Sequence, residues 1–322
     1  MTNPERDPDE VVCESGDRPD AVEVLEPREV PLGGPRAMRV RRTIPQRQRS
    51  LIGAWCFADH YGPDPVAETG GMTVAPHPHT GLQTVSWLFT GEIEHRDSAG
   101  HHAFVRPGEL NLMTAGRGIS HSEYSTPGTT TLHGAQLWLA LPDHDRQVDP
   151  RFEHFAPTPV AGDGWEARVF IGSLLGSESP VTTYSPLLGA ELTLAAGTTL
   201  TVPVDPSYEL GVLVDTGGVR VDGKPLAAHE LGFVEPGSDV LELSTDEDVR
   251  LLVLGGPPFG EQIVMWWNFI GREHDEVVGY RAQWEALLAV GDETRFALPE
   301  ADPLDALHAP PLPNVRMVKR GP

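Results

Sequence analysis

Two short pairs of polar residues with the same spacing carry the strongest chemical signal in the chain. His77 and His79 lie two positions apart, and His121 and Glu123 repeat this spacing further along the chain. Side chains alternate between the two faces of a β-strand, so each pair would present both side chains to the same side. If the two strands are neighbours, three imidazole nitrogens and one carboxylate oxygen converge. Such a set of donors could hold a single divalent metal ion.

Strands are needed to position these pairs, and the composition of the chain favours strands. Hydrophobic residues make up 39% of the 322 positions, and 34 glycines and 31 prolines suit many short strands joined by turns. The sequence therefore predicts an all-β protein. The apolar or alternating runs that we interpret as strands are 51–57, 84–89, 109–113 and 133–139 in the first half, and 167–171, 181–184, 191–194, 210–214, 232–234, 240–243 and 249–254 in the second.

The chain is about twice the length of a typical domain of ~150 residues, which predicts two domains. We assign residues 1–35 to an acidic, flexible tail, 36–145 to a first, metal-binding domain, 146–290 to a second domain, and 291–322 to a proline-rich tail. Apolar residues recur every three or four positions between His274 and Ala289, which predicts a helix with one apolar face near the end of the second domain.

The charge and cysteine content exclude several classes of function. A formal net charge of −23 argues against direct binding to nucleic acid, which depends on lysine and arginine at the phosphates. The two cysteines, Cys13 and Cys56, cannot form a disulfide framework. The acidic N-terminus lacks the order of a signal peptide, and no apolar run approaches the ~20 residues of a membrane span. We therefore expect a cytoplasmic protein that does not act at a membrane.

The motifs around the two polar pairs resemble those of the pirins, a family of proteins with two cupin domains. The resemblance is strongest over residues 37–145 and weaker in the second half. Its segments are Arg41-Arg42, Phe57-Ala58-Asp59-His60-Tyr61-Gly62-Pro63, His77-Pro78-His79-Thr80-Gly81 with Thr84-Val85, Met113-Thr114-Ala115-Gly116-Arg117-Gly118-Ile119-Ser120-His121-Ser122-Glu123, Leu132-His133-Gly134-Ala135-Gln136-Leu137-Trp138 and Gly256-Pro257-Pro258-Phe259-Gly260-Glu261-Gln262-Ile263-Val264-Met265-Trp266-Trp267-Asn268-Phe269-Ile270-Gly271-Arg272.

The resemblance implies a bicupin fold: two consecutive antiparallel β-barrel (jelly-roll) domains with a short C-terminal helix. It also implies that His77, His79, His121 and Glu123 hold one Fe(II) ion in the first barrel, with two coordination positions left open. Imidazole and carboxylate ligation with open positions suits non-heme iron, although zinc, nickel, copper or manganese could substitute. No second His-x-His occurs after residue 145, so we expect a metal-free second barrel.

Three further polar residues are candidates for the surroundings of the metal. Asp59 precedes the first histidine pair and could line the mouth of the cavity, or simply form a turn. Gln83 stands where cupins often carry a glutamate ligand, and an amide there would support the ligands from a second layer. His133 heads a predicted strand and could orient a ligand through a hydrogen bond.

Two functions fit the resemblance. In the first, the protein is a quercetin 2,3-dioxygenase-type enzyme that uses O₂ to open a flavonol-like phenolic, with Glu123 as the catalytic base. In the second, it is a non-catalytic, iron-dependent redox regulator that contacts a protein partner. A sugar-isomerase type of cupin would leave the metal motifs without a role. Turnover is the observation that separates the first two, because cupins host many activities.

Overall fold

The computed structural model describes residues 22–32 and 38–321, and antiparallel strands dominate this part of the chain. The strands of the first domain and its neighbours are β1 (Val22–Leu25), β2 (Arg28–Leu32), β3 (Met38–Ile44), β4 (Trp55–Pro65), β5 (Thr73–His79), β6 (Leu82–Thr90), β7 (Ile93–Asp97), β8 (His102–Val105), β9 (Leu110–Thr114), β10 (Ile119–Ser125), β11 (Thr131–Ala140) and β12 (Arg151–Phe155). A four-residue helix, α1 (Val66–Thr69), follows β4.

The remaining strands belong to the second half of the chain. They are β13 (Val160–Gly162), β14 (Trp165–Ile171), β15 (Ser173–Leu174), β16 (Ser177–Glu178), β17 (Leu188–Leu194), β18 (Thr199–Pro203), β19 (Glu209–Thr216), β20 (Val219–Val221), β21 (Lys224–Leu226), β22 (Leu231–Val234), β23 (Val240–Ser244), β24 (Val249–Gly256), β25 (Val264–Trp266) and β26 (Phe269–Gly271). The chain then forms α2 (His274–Val290).

Each domain consists of a seven-stranded sheet packed on a four-stranded sheet. In the first domain the orders are β12-β9-β6-β11-β4-β3-β2 and β5-β10-β7-β8. In the second they are β1-β22-β19-β24-β17-β14-β13 and β18-β23-β20-β21. Valine and leucine side chains from both sheets fill the interior of each domain. The predicted all-β architecture with two barrel domains is confirmed.

The two seven-stranded sheets pack against each other through a shared apolar core. Trp87 and Leu137 from the first domain lie in this core with Phe170, Leu213 and Leu252 from the second. Polar groups also cross the boundary: the indole of Trp87 donates a hydrogen bond of 2.6 Å to the buried carboxylate of Glu191. The two domains therefore pack directly on each other through a buried interface that contains both apolar and hydrogen-bonded groups.

The N-terminal boundary differs from the prediction. Residues 22–32 of the predicted flexible tail form β1 and β2, whereas residues 1–21 and 33–37 lie outside the described part. β1 pairs with β22, so it belongs to the sheet of the second domain. Val22 and Leu25 are buried there, which explains how so polar a stretch can hold two strands.

The other boundaries also shift. β12 lies beyond the predicted limit at residue 145 yet pairs with β9 in the first domain. The helix α2 is confirmed; its buried face contains Val277, Tyr280 and Trp284, and it ends at Gly291 in the left-handed conformation. Residues 291–321 contain no helix or named strand, but Phe296 and Ala309 are buried, so this stretch is packed on the protein rather than loose. None of the helices in the described part is long and apolar enough to cross a membrane.

Candidate metal centre

Strands β5 and β10 lie side by side and bring the two polar pairs together. They pair in antiparallel fashion with His77 opposite His121, and His79 opposite Ile119. The register shifts between His121 and Glu123, where a bulge interrupts the ladder. All four predicted ligands line one cavity of the first domain, to which strands of both sheets contribute. The alternation predicted from the spacing is therefore present on both strands.

The histidine nitrogens are arranged as a metal site requires. Nδ1 of His77 donates to the carbonyl of Ala75 at 2.9 Å, and Nδ1 of His79 donates to the carbonyl of Asn268 at 3.2 Å. A carbonyl can only accept, so each neutral ring keeps its lone pair on Nε2. The Nε2 atoms of His79 and His121 lie 3.1 Å apart. Two ligands at ~2.1 Å from one ion are separated by roughly 3 Å, so the donor set fits a metal.

Glu123, the fourth predicted ligand, lies in the same cavity but in a different group of potential ligands. One ligand atom from each of His77, His79 and His121 lies within 4.8 Å of the others, whereas Glu123 forms such a group with His121 and His95. The hydroxyl of Ser86 lies 3.2 Å from the Glu123 carboxylate, to which it can donate. His121 is therefore the residue that the two groups have in common.

His95 is a neighbour of the site that the sequence reasoning missed. It lies on β7, which pairs with the ligand strand β10, and its Nδ1 is 3.4 Å from Nδ1 of His121. Its Nε2 lies 3.3 Å from the carboxylate of Asp97. The spacing His95-x-Asp97 resembles that of the ligand pairs, and this was the available signal.

Burial sets the protonation of the site. Burial lowers the pKa of His77 to about 4 and holds the pKa values of His79 and His121 well below their usual range. The three rings are therefore neutral at pH 7, as metal ligation requires. Burial also raises the pKa of Glu123, against the opposing effects of His95 and Ser86. A metal ion would return this carboxyl to its charged form.

The cavity has a volume of about 520 Å³ and largely aromatic walls. Phe57 and Trp138 stack at a ring separation of 4.1 Å, and the guanidinium of Arg42 lies 4.2 Å from the Phe57 ring. Trp267, beyond β25, contributes to the opposite side. Leu307, His308 and Pro310 complete the wall. A flat aromatic ligand would find apolar faces and a single cation beside the ligand cluster.

The three additional candidates occupy different places. Asp59 is buried and accepts two hydrogen bonds of 2.7 Å from Arg42, so it fixes a cavity-lining cation. The amide of Gln83 donates to Thr114 at 2.9 Å and to the carbonyl of Thr182 at 3.0 Å, and it lies outside the cavity wall. The prediction that Gln83 supports the metal ligands is therefore not met by its contacts.

His133 faces the second domain instead of the metal cavity, which corrects its predicted role. It shares the carboxylate oxygen Oδ1 of Asp215 with His60, at 2.5 and 2.6 Å. The other oxygen of Asp215 accepts from Nε of Arg250 at 2.6 Å, and Nη2 of Arg250 lies 3.4 Å from Nδ1 of His133. Arginine can only donate, so the proton of neutral His133 points at Asp215. Three donors satisfy this carboxylate without a metal ion.

Comparison with known proteins identifies the family to which the sequence is similar. The model of the Pirin family matches residues 37–139, and that of the Pirin C-terminal cupin domain matches residues 189–288. A protein of Pseudomonas aeruginosa named "Putative quercetin 2,3-dioxygenase PA1205" is 44% identical over 287 residues, which is 89% of each chain. A pirin-like protein of Caulobacter vibrioides is 35% identical over 274 residues, 82% of this chain and 91% of its own.

A solved structure agrees with these sequence matches. The crystal structure of quercetin 2,3-dioxygenase from Acinetobacter baumannii superposes with a TM-score of 0.86 and 38% identity. The match covers 92% of this chain and 97% of that one. Both barrels are therefore cupin domains, and the chain belongs to the pirin family.

Proposed function

We propose that this protein is an Fe(II)-dependent dioxygenase that opens the ring of a flavonol-like, quercetin-type phenolic. The observation that carries the proposal is the convergence of His77, His79, His121 and Glu123 inside a cavity with aromatic walls. The names of two similar proteins, both quercetin 2,3-dioxygenases, support the choice of substrate class. Zinc, nickel, copper or manganese would fit the same donors, so the choice of iron rests on the chemistry proposed here.

Glu123 is the proposed base for the phenolic hydroxyl. Its carboxylate lines the same cavity as the three histidines, where a carboxylate can act as a general base toward a bound hydroxyl. Ser86 lies 3.2 Å from Glu123 and 3.1 Å from the side-chain oxygen position of Gln136. One hydroxyl carries one proton, so Ser86 can donate either to Glu123 or to the side-chain oxygen of Gln136. The hydrogen bond from Ser86 would hold the Glu123 carboxylate in place while that carboxylate gains and returns the proton.

The cavity wall would orient the substrate and exclude water. A planar ring can lie along the Phe57–Trp138 pair, with Arg42 available to a distal oxygen of the substrate. Bound Fe(II) would supply Lewis acidity toward the substrate hydroxyl and redox chemistry toward O₂. In the overall reaction both atoms of O₂ enter the products, one carbon leaves as carbon monoxide, and the substrate carbons provide the four electrons that O₂ accepts.

Oxygen uptake tests the proposal. The protein is loaded anaerobically with Fe(II), quercetin is added, and O₂ consumption is compared with that of His79→Ala, which should lose the metal. Uptake well above the control, accompanied by carbon monoxide, is expected. Uptake equal to the control with iron bound to the wild-type protein would refute the dioxygenase and favour the redox regulator.

A second variant tests the role of the base. Glu123→Gln should lose most of the turnover even where its iron content, measured on the same sample, is retained. Full activity of Glu123→Gln would refute the assignment of Glu123 as the base while leaving the dioxygenase proposal intact.

A further inference from the structure

A segment that follows α2 returns to strand β10, which carries two of the predicted ligands. β10 presents His121 and Glu123 to the cavity, and the alternate residues Ser120, Ser122 and Tyr124 face the opposite side. All three bind residues 297–302, which follow α2 by fewer than fifteen positions. The outer face of the ligand strand is therefore covered by chain that lies far away in sequence.

Asp302 makes the central contacts of this cover. One oxygen of its carboxylate accepts from the hydroxyl of Tyr124 at 2.6 Å, and the other accepts from the hydroxyl of Ser122. Ser122 stands directly between the two ligands of β10. The hydroxyl of Ser120 donates to the carbonyl of Ala297 at 2.5 Å. Charge-assisted bonds of this kind are stronger than neutral ones, so Asp302 holds the strand at the position of its ligands.

The same segment then reaches the other ligand strand. The amide of Leu307 donates to the carbonyl of Pro76 at 2.8 Å, next to His77 on β5. The indole of Trp284 on α2 donates to the carbonyl of Leu307 at 2.8 Å, which ties this crossing to the helix. Leu307 and His308 line the cavity. Residues 297–310 therefore contact both ligand strands from outside and also form part of the cavity wall.

We propose that this C-terminal segment, residues 297–310, is a working part of the metal site and that Asp302 is a positioning residue for His121 and Glu123. The segment lies beyond both ranges matched by the family models, which end at residues 139 and 288. The inference rests on the metal-binding part of the proposed function but not on turnover or on a particular substrate. Groups that hydrogen-bond to metal ligands typically change metal affinity by ~10–100-fold when removed, and because Asp302 acts through Ser122 and Tyr124 we expect the lower end of this range.

Cobalt binding tests this role without any assay of activity. Co²⁺ is titrated into metal-free wild-type protein, Asp302→Ala and Asp302→Asn, and the visible absorption of the bound ion reports the ligand geometry. Asp302→Ala should bind Co²⁺ about tenfold more weakly and give an altered spectrum. Asp302→Asn, whose amide oxygen can still accept a hydrogen bond, should retain part of the wild-type Co²⁺ affinity and part of the wild-type spectrum. Asp305→Ala is the matched control, because Asp305 is exposed in the same segment and has no hydrogen bond among the described residues.

Two further variants address the risk that Asp302→Ala disturbs folding. Ser122→Ala and Tyr124→Phe each remove one donor to Asp302 and leave the carboxylate in place, and each should weaken Co²⁺ binding in the same direction. Thermal unfolding of every metal-free variant is recorded alongside. Co²⁺ affinity and spectra equal to wild type in folded Asp302→Ala would overturn the positioning role. Absence of Co²⁺ binding by the wild-type protein would overturn the metal assignment and this role with it, whereas loss of oxygen uptake alone would leave it standing.

Discussion

Replacing Asp215 with alanine should destabilise the protein by about 3–5 kcal/mol, because this carboxylate is a hub between the two barrels. Its side chain is 1% exposed and accepts bonds from His60, His133 and Arg250 at 2.5–2.6 Å. Alanine removes every acceptor at once. Two buried imidazole N–H groups and one partly buried guanidinium then lose their partner, and breaking a buried ionic pair on one side costs about this much.

The pH dependence follows from the state of the carboxylate. Burial alone would raise the pKa of Asp215, but hydrogen bonds from His133 and His60 hold it well below its usual range. A group whose folded-state pKa is depressed contributes stability above its unfolded pKa of ~3.9 and loses it as pH falls below that value. The effect of Asp215→Ala should therefore be full at pH 7 and shrink only in acid below about pH 4.

Urea denaturation of metal-free protein, followed by tryptophan fluorescence, gives the free energy of unfolding from the midpoint and slope. Asp246→Ala is the control, because Asp246 is exposed in the same domain and has no side-chain hydrogen bond in the described part of the structure. Its change should stay within ~0.5 kcal/mol. A loss below 1 kcal/mol for Asp215→Ala with an unchanged slope would refute the account of this carboxylate as a hub.

Three other substitutions have defined outcomes. Gly116→Ala should lower the free energy of unfolding by at least about 2 kcal/mol, because Gly116 has φ +51° and a Cβ there would lie 2.0 Å from the carbonyl oxygen of Val148. An unchanged midpoint of thermal or urea unfolding would contradict this. Trp87→Phe should lower the free energy of unfolding by about 1–3 kcal/mol, because the buried Glu191 loses a hydrogen-bond donor. A loss of stability no larger than that caused by a conservative substitution in the core would contradict this. His229→Asn should flatten the rise in stability between about pH 4 and 6.5, because burial lowers the pKa of His229 to about 4 and the unfolded state therefore binds more protons than the folded state in that window. Equal slopes of unfolding free energy against pH for His229→Asn and wild type would rule this out.

The local part of the candidate site could be predicted from sequence because it depends on the two-residue period of a strand. His77 and His79 share a face for that reason, and so do His121 and Glu123. The same period and the turn residues predicted the all-β fold. A period identifies which side chains share a face, however, and does not identify what lies behind that face.

The features that were missed depend on contacts between distant parts of the chain. Asp302 reaches Ser122 across 180 positions, and His133 meets Asp215 across the domain boundary. The local sequence pattern around His133 does not show whether its side chain faces the metal cavity or the second domain, because a register shift lies between His133 and Gly134. A one-residue change of register moves a side chain to the other face of a sheet.

The pairing of β1 with β22 bears on folding during synthesis and on self-association of the protein. β1 leaves the ribosome about 200 residues before β22, so β1 has to wait for its partner strand until most of the second barrel has been made. Without β1, the backbone edge of β22, a strand that includes Leu231 and Phe233, would be open to pairing with a strand of another molecule. A fragment of residues 146–290 would keep that edge permanently, so it should self-associate by strand addition, and Val22–Leu25 would act as the cap that prevents this in the whole protein.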